Sequence, residues 1–538
     1  MSGSVYGRAA WTMAIVLLVA AGDRAPVRGS TAIGVFDDQS VVGVPSTLGP
    51  GSASYDASTG TYTIAGGGEN MWARADHFRY VWRKMSGDVS LSATIAFTAT
   101  QPSGTTPNEH RKACLVLRQT LDPDSAYIDA ATHGNGMTSL QWREAKGDLS
   151  HDIETNVVGP ARLRIEKRGD TVTMFVANPG QPWRPAGGST RIRLTGDFYV
   201  GLGVSSHDVN RIDTATFSRV ELGVPAPLGA QPVTVSTLET ISLGSKDRRV
   251  VHVSTLPEPV EAPNWFPDAS NTIYFNRGGG IFKVQADLPR AAPNVSGPRL
   301  PSAVDVGGLT RIGHDHVLSR DGQTWAVTDQ SQVVGTTRQS LMFTAPVAGG
   351  AATRVPVASP SYVRGFSPDG QTLVYAAERG GNLDIYRVSR AGGAEQRLTT
   401  DPARDDGPEF SADGQFIYFS SDRSGSVQVW RMKADGTAPE QITRDALANW
   451  FPHLSPDGKA LVFLSAAPGA TDHLDNTDVS LRRMNLADRA VDELAKLYGG
   501  KGTINVASFS PTSQHLAFVS YQRIPENSPV SIDLPPGR

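Results

Sequence analysis

Five polar side chains recur at one place in a repeating phrase through the second half of this sequence. Asn264, His316, Arg364, Glu409 and His453 each stand two or three residues ahead of a turn of the type Ser-x-Asp-Gly or a degenerate form of it. Two imidazoles, a carboxylate, a guanidinium and an amide brought together could hold an anionic sugar. They could equally hold a divalent metal (Mn, Ca or Zn), with His316 and His453 as the ligands, because imidazole and carboxylate suit such cations and arginine pairs bidentately with carboxylates. Acid/base work is also within their reach, although no motif marks any one of them as catalytic. In "GHDH" His314 and His316 flank Asp315, and the two rings share a side only if the strand alternates regularly. Residues this far apart can meet only if the fold carries many short strands to one axis.

The spacing of the turns supplies such a fold. They begin at Ser319, Ser367, Ser411 and Ser455, with degenerate copies at Phe266 and Ser510, so the steps are 53, 48, 44, 44 and 55 residues. A period of roughly 40 to 50 residues is that of propeller blades. Within residues 405–443 the grammar is strand, Ser-Ala-Asp-Gly, "QFIYFSS", Asp-Arg-Ser-Gly, "VQVWRMK", Ala-Asp-Gly, "EQIT": four short strands punctuated by Gly and Asp turns. Proline presets φ in such a turn, aspartate accepts from backbone N–H groups and glycine takes positive φ, so the turn aspartates are structural. The strand before each turn is expected innermost, which is why the five residues above form a candidate ligand ring.

The stretch "FSPDGQTLVYAAERGGNLDIYRVSRAGGAEQRLT" resembles the WD-like repeat of TolB-type propellers, and the resemblance covers residues 235–522. "NWFPHLSPDG", "DNTDVSLRRMNL" and "GGKGTINVASFSP" further resemble a bacterial TolB-like subgroup. The resemblance implies a six-bladed β-propeller, a periplasmic or secreted location and an envelope-protein partner. The amino-terminal α/β domain that TolB itself carries is not recognisable here. Oligogalacturonate lyases resemble the same propeller type; by that resemblance His316 and His453 would hold a metal, Glu409 would act as acid or base, and Arg364 would neutralise a uronate. Prolyl-oligopeptidase-type enzymes share the propeller too, but no Gly-x-Ser-x-Gly elbow accompanies it, which excludes a serine peptidase of that kind.

Residues 31–224 show a different all-β grammar. "VSLSATIAF" alternates Val89, Leu91, Ala93, Ile95 and Phe97 with small or polar residues, and "ARLRIEKRGDTVTMFVA" reads as a hairpin around Arg168-Gly169-Asp170, predicting a β-sandwich. Trp82, Trp142 and Trp183 with Arg118, Gln119, His133 and Arg143 are the candidate glycan platform. An indole can cover the apolar face of a pyranose while guanidinium, amide and imidazole groups bond its hydroxyls; the alternative is plain core packing. "YVWRKMSGDVSLSATI" and "GDFYVGLGVSSHD" resemble a concanavalin-like jelly-roll family of bacterial secreted proteins, which implies sugar binding.

The remaining segments fix the boundaries. Arg8 precedes an apolar run over residues 9–21, a pattern that predicts a signal peptide at residues 1–21, and no later segment is apolar enough to span a bilayer. Residues 225–234 are a Pro- and Gly-rich linker and residues 523–538 a Pro-rich tail. An insertion in the fifth repeat, "GATDHLDNTDVSLRRM", offers His473, Asp475, Asn476 and Asp478 as an alternative cation site without EF-hand spacing, or simply a solvated loop; the TolB-like resemblance has it covering one mouth of the channel. Cys114 is the only cysteine among 538 residues, so no intramolecular disulfide forms. Lys plus Arg number 50 against 53 Asp plus Glu, a net charge of -3 that gives no overall attraction for nucleic acid. The expectation is thus an exported two-domain protein that binds a glycan or polysaccharide, or an envelope protein. The alternative is a lyase or hydrolase with a metal-assisted site in the propeller channel.

Overall fold

A computed structural model describes residues 32–98, 107–286, 300–470, 474, 476–526 and 528. Every regular element among them is a β-strand. The predicted signal segment, most of the carboxy-terminal tail and part of the fifth-repeat insertion, His473 and Asp475 included, lie outside the described residues.

The first half is two antiparallel sheets packed face to face. In the first, Val89–Phe97 lies between Arg162–Arg168 and the long strand Asp208–Gly223. In the second, the order runs from Asp38–Val42 through Phe78–Met85, Phe198–Ser205, Lys112–Arg118, Tyr127–His133 and Thr138–Arg143 to His151–Glu154. Alternation decides which side chains meet: Leu91, Ile165 and Met174 from one sheet pack against Leu115, Ile128, Leu140 and Val200 from the other. Val89, Leu91, Ala93 and Ile95 are buried as the pattern requires, while Phe97 is half-buried under the Arg111 guanidinium, 4.1 Å from its ring. Arg168-Gly169-Asp170 is the predicted hairpin turn, with Gly169 at φ 55° and its N–H donating to Asp88 Oδ1. Nothing about that tripeptide needs an adhesive role.

The second half is a β-propeller. Glu261–Trp265, Ile312–Leu318, Ser361–Phe366 and Asp405–Phe410 each begin an antiparallel sheet of four strands, and Ala448–Leu454 is the edge strand of a longer sheet that runs on to His515–Ile524. The final strand, His515–Ile524, pairs along its whole length with Val233–Ser242, the first strand of this half, from Val233 opposite Ile524 to Ser242 opposite His515. Joining the two chain ends in one sheet closes the ring without leaving an edge. The turns hold as the sequence demands. In Ser367-Pro368-Asp369-Gly370 the serine Oγ donates to Asp369 Oδ1 (2.5 Å), which also accepts the Gln371 N–H (3.0 Å), and the hydroxyl in turn accepts the Thr372 N–H (2.9 Å). The hydroxyl is the first reason that the Asp369 carboxyl sits below its ordinary range. The turns at Ser319, Ser411 and Ser455 repeat these bonds. Gly370 has φ +69° and open space where a Cβ would stand. Gly370→Ala is therefore expected to cost about 1 kcal/mol through backbone strain alone, read as a lower urea midpoint with unchanged m-value.

The two halves share a sheet. His151–Glu154 pairs in parallel with Arg248–Ser254, Ile153 opposite Arg248 and Glu154 opposite Arg249, so the sandwich sheet continues into the propeller. Arg248 fastens the junction: its Nε donates to the buried Glu239 (2.9 Å) and its Nη1 to the Ser189 carbonyl (2.8 Å) of the opposing sandwich sheet.

Candidate functional site

Each innermost propeller strand breaks register just before its turn. The irregularities fall between Glu261 and Asn264, Ile312 and His316, Val363 and Gly365, Asp406 and Glu409, and Trp450 and His453. A bulge inserts a residue and re-aims the side chains around it. Counting back from the turn consequently finds the right segment but does not fix which side chain reaches the axis.

Of the five predicted residues, Arg364 is the one held by opposed charges. Its buried guanidinium lies between two carboxylates, bonding Asp315 on one neighbouring sheet and Asp406 on the other, the latter through Nε and Nη2 at 3.3 and 3.1 Å. Asn505 donates to Asp315 Oδ1 (3.1 Å) and the Gly407 N–H to Asp406 Oδ1 (2.7 Å). Burial opposes ionisation of Asp315 and Asp406, but Arg364, with Lys501 further off, outweighs it and holds both carboxyls below their ordinary range. For Arg364 burial pulls the other way, and the two aspartates raise its affinity for the proton. Beside this group His314 pairs with Glu261 at 2.7 Å.

The others join different partners. His453 Nδ1 meets Glu409 Oε2 at 2.7 Å, His453 Nε2 meets the Ile504 carbonyl, and Glu409 Oε1 accepts the Leu454 N–H (3.1 Å). Asn264 donates to the Ala507 carbonyl. His316 is fully buried near the Trp325 ring, with Nδ1 facing the Gly313 carbonyl (3.4 Å), and burial pulls its pKa down to about 4. The five do not form one free ring: Arg364, Glu409 and His453 tie one strand to its neighbour, Asn264 bonds the Ala507 carbonyl with its Oδ1 left without a partner, and the His316 contact stays within its own strand with Nε2 buried and without a partner.

Residues 502–507 complete the arrangement by running through the axis. The Gly502 carbonyl accepts the Ala262 N–H (2.7 Å), the Ile504 carbonyl meets His453, Asn505 bonds the His314 carbonyl and Asp315, and the Ala507 carbonyl takes Asn264. Thr503, Ile504, Asn505 and Val506 are all buried. A metal held by His316 and His453 does not fit this geometry. Both nitrogens of His453 face acceptors, both oxygens of Glu409 are engaged, and Arg364 has no fork left for a uronate. Among the described residues no group of three or more His, Cys, Asp or Glu side chains is placed to hold a metal ion. Asp478 of the insertion is an ion-pair partner of Arg191 in the sandwich, and Asn476 is exposed.

The sandwich platform is dispersed in the same way. Trp142 belongs to the core between the sheets. Arg118 and Arg143 are fully buried on either side of Asp76, at 3.1 and 2.8 Å. Trp82 packs edge-on against Tyr199 and donates to Ser40 Oγ (3.0 Å); Trp183 lies beneath Arg162 and Arg164; Gln119 bonds the Thr195 and Asp197 carbonyls. Of the platform residues, His133 lines a cavity. That cavity, about 1130 Å³, lies at the junction of sandwich and propeller and is also lined by Trp72, Lys112, Gln141, Asp152 and Trp265. Sequence reasoning missed these five, and it missed Asp315, Asp406 and Asn505 as partners of the axial residues. A signal for the cavity was present: Lys112 and Gln141 are polar alternates of strands whose other alternates fill the core.

Comparison with known proteins follows this division of the chain. Residues 351–494 match the model of the TolB beta propeller domain. An uncharacterized protein of Agrobacterium fabrum (strain C58 / ATCC 33970) is 35% identical over 286 residues, 53% of this chain and 92% of that relative. A solved structure of an Agrobacterium tumefaciens protein under a provisional TolB name is 35% identical, covers 54% of this chain and 99% of its own, and superposes with a TM-score of 0.49. TolB from Acinetobacter baumannii is 15% identical over 62% of this chain and 79% of its own, with a TM-score of 0.36.

Proposed function

From the premise that this chain belongs to the family of TolB-like β-propeller proteins, we propose that it is an exported recognition protein rather than an enzyme. In this reading a six-bladed propeller serves as a rigid scaffold, a concanavalin-like jelly-roll sandwich is fused ahead of it, and the pair binds a glycan in the periplasm or outside the cell. An envelope protein is a further partner of the propeller. No helix of the described residues is long and apolar enough to cross a membrane.

The observation that carries the proposal is the closure of the charged axial groups Arg364, Glu409 and His453 on their neighbours. Catalysis needs a base, acid or electrophile free to meet substrate. Arg364, Glu409 and His453 instead spend their polar atoms on Asp315, Asp406, Leu454 and residues 502–507. Charged groups bonded in this way hold neighbouring strands together, as a scaffold requires.

The test combines two readouts on the purified protein: a glycan array, and ultraviolet absorbance of unsaturated product after incubation with polygalacturonate and Mn. Binding to the array without product is expected. Product that appears with the wild type and vanishes in His453→Ala overturns the recognition reading in favour of a lyase.

A further inference from the structure

The cavity between sandwich and propeller is built by two surfaces that meet only in the folded chain. On the sandwich side, register sets Asp129 opposite Gln141 and Gln141 opposite Asp152, a polar row on the sheet face turned away from the core. Lys112 stands opposite His133 on the same face, over the Trp72 ring at 5.6 Å, and donates to Asn70 Oδ1 (3.0 Å) and the Met71 carbonyl (2.7 Å). On the propeller side stands Trp265.

Several of these groups are buried with polar atoms unmet by protein. Gln141 is 2% exposed and its Oε1 has no partner; nor do His207 Nδ1 and Trp265 Nε1. Burying a polar atom without a partner is unfavourable, and the appearance of such atoms at one cavity from both halves of the molecule asks for a ligand carrying donors and acceptors together. Burial first, then the nearby Asp247 and Glu154, pushes the carboxyl of the lining residue Asp152 up to about 7.

Charge narrows the class. The arginines here are committed, Arg248 to Glu239 and Arg249 to Glu154, and Lys112 is held by Asn70 and Met71. Asp152, Asp247 and Asp268 line the same cavity, so a uronate would meet carboxylates without a free guanidinium. Half-buried Trp72 supplies an apolar face of pyranose size.

We propose that this cavity binds a neutral oligosaccharide, one sugar ring resting on Trp72 and its hydroxyls bonded by Gln141 from the sandwich and Trp265 from the propeller. The proposal rests on the recognition reading above and gives it a site that none of the predicted platform tryptophans provides.

Titration calorimetry of the full protein with cellotetraose, chitotetraose and tetragalacturonate tests it. Saturable binding of one of the neutral tetrasaccharides is expected, with none of tetragalacturonate. Gln141→Leu removes an amide from the floor and Trp72→Ala a ring from the wall, and each should weaken that binding about tenfold or more. Trp72→Ala, lying outside the sandwich core, guards against a folding artefact and should leave the urea midpoint near that of the wild type. Tighter binding of tetragalacturonate overturns the class. A neutral glycan that binds both variants as well as the wild type overturns the site while leaving the recognition reading intact, and a protein that binds no glycan on the array or in the calorimeter brings down both.

Discussion

Replacing Arg364 with methionine is expected to destabilise the protein by about 3–5 kcal/mol at neutral pH, among the largest effects of any single change at the axis. Among the described residues the guanidinium is the only group bonded to both Asp315 and Asp406. Without it two buried carboxylates would face one another across neighbouring sheets. The sign of the pH dependence follows from the directions of the shifts. In the wild type both carboxyls are held below their ordinary range, so their contribution is fully present above the unfolded value near 4 and is lost as pH falls through the folded values. In the variant the main compensating charge is gone, and burial, offset only in part by Lys501 and the Asn505 and Gly407 N–H groups, shifts each carboxyl toward the neutral acid. Lowering the pH then relieves the variant while it weakens the wild type. Urea midpoints at pH 7 and pH 4 should accordingly converge. If they differ equally at both pH values, the Asp315–Arg364–Asp406 network does not hold the sheets as described. A loss of glycan binding with unchanged stability would restore Arg364 as a ligand contact.

Asp76→Asn should have an effect of similar size, about 3–5 kcal/mol, for the opposite charge reason. Asp76 sits between Arg118 and Arg143, both fully buried, and amidation would leave two guanidiniums without their anion. Carbonyls at Thr120, Asp122 and Ser125 satisfy N–H groups but supply no net charge. The same logic separates a structural arginine from a sugar-binding one. Arg143→Gln is expected to lower the urea midpoint strongly and to leave sugar affinity, measured well below that midpoint, close to wild type. The reverse pattern would return Arg143 to the candidate platform.

Neither of the arginine candidates is idle, and that is why their types misled. An arginine on a strand reads the same in sequence whether its fork meets a sugar or a buried aspartate. Trp142 shows the complementary ambiguity: period-two alternation assigns it a face, but only the second sheet packing above it makes that face the core. At the axis the obstacle is the bulge. Asp315 and Asp406 lie next to or near the predicted His316 and Glu409, and the register break in each strand decides which of them reaches the neighbouring sheet.

What the chain determined by itself is local and periodic: where strands alternate, where Ser-Pro-Asp-Gly forces a turn, and that the repeat closes into a propeller preceded by a two-sheet sandwich. Glycine's positive φ and the aspartate and serine bonds of the turn act within six residues, so they are written in the sequence. Which polar groups are consumed and which are left open was decided only by tertiary structure. Arg364 meets Asp315 and Asp406 across separations of 49 and 42 residues, His453 meets Ile504 across 51, and the sandwich reaches the propeller at Ile153 and Arg248. A charge is satisfied or stranded by whatever lies within a few ångströms, and sequence order carries no record of that distance.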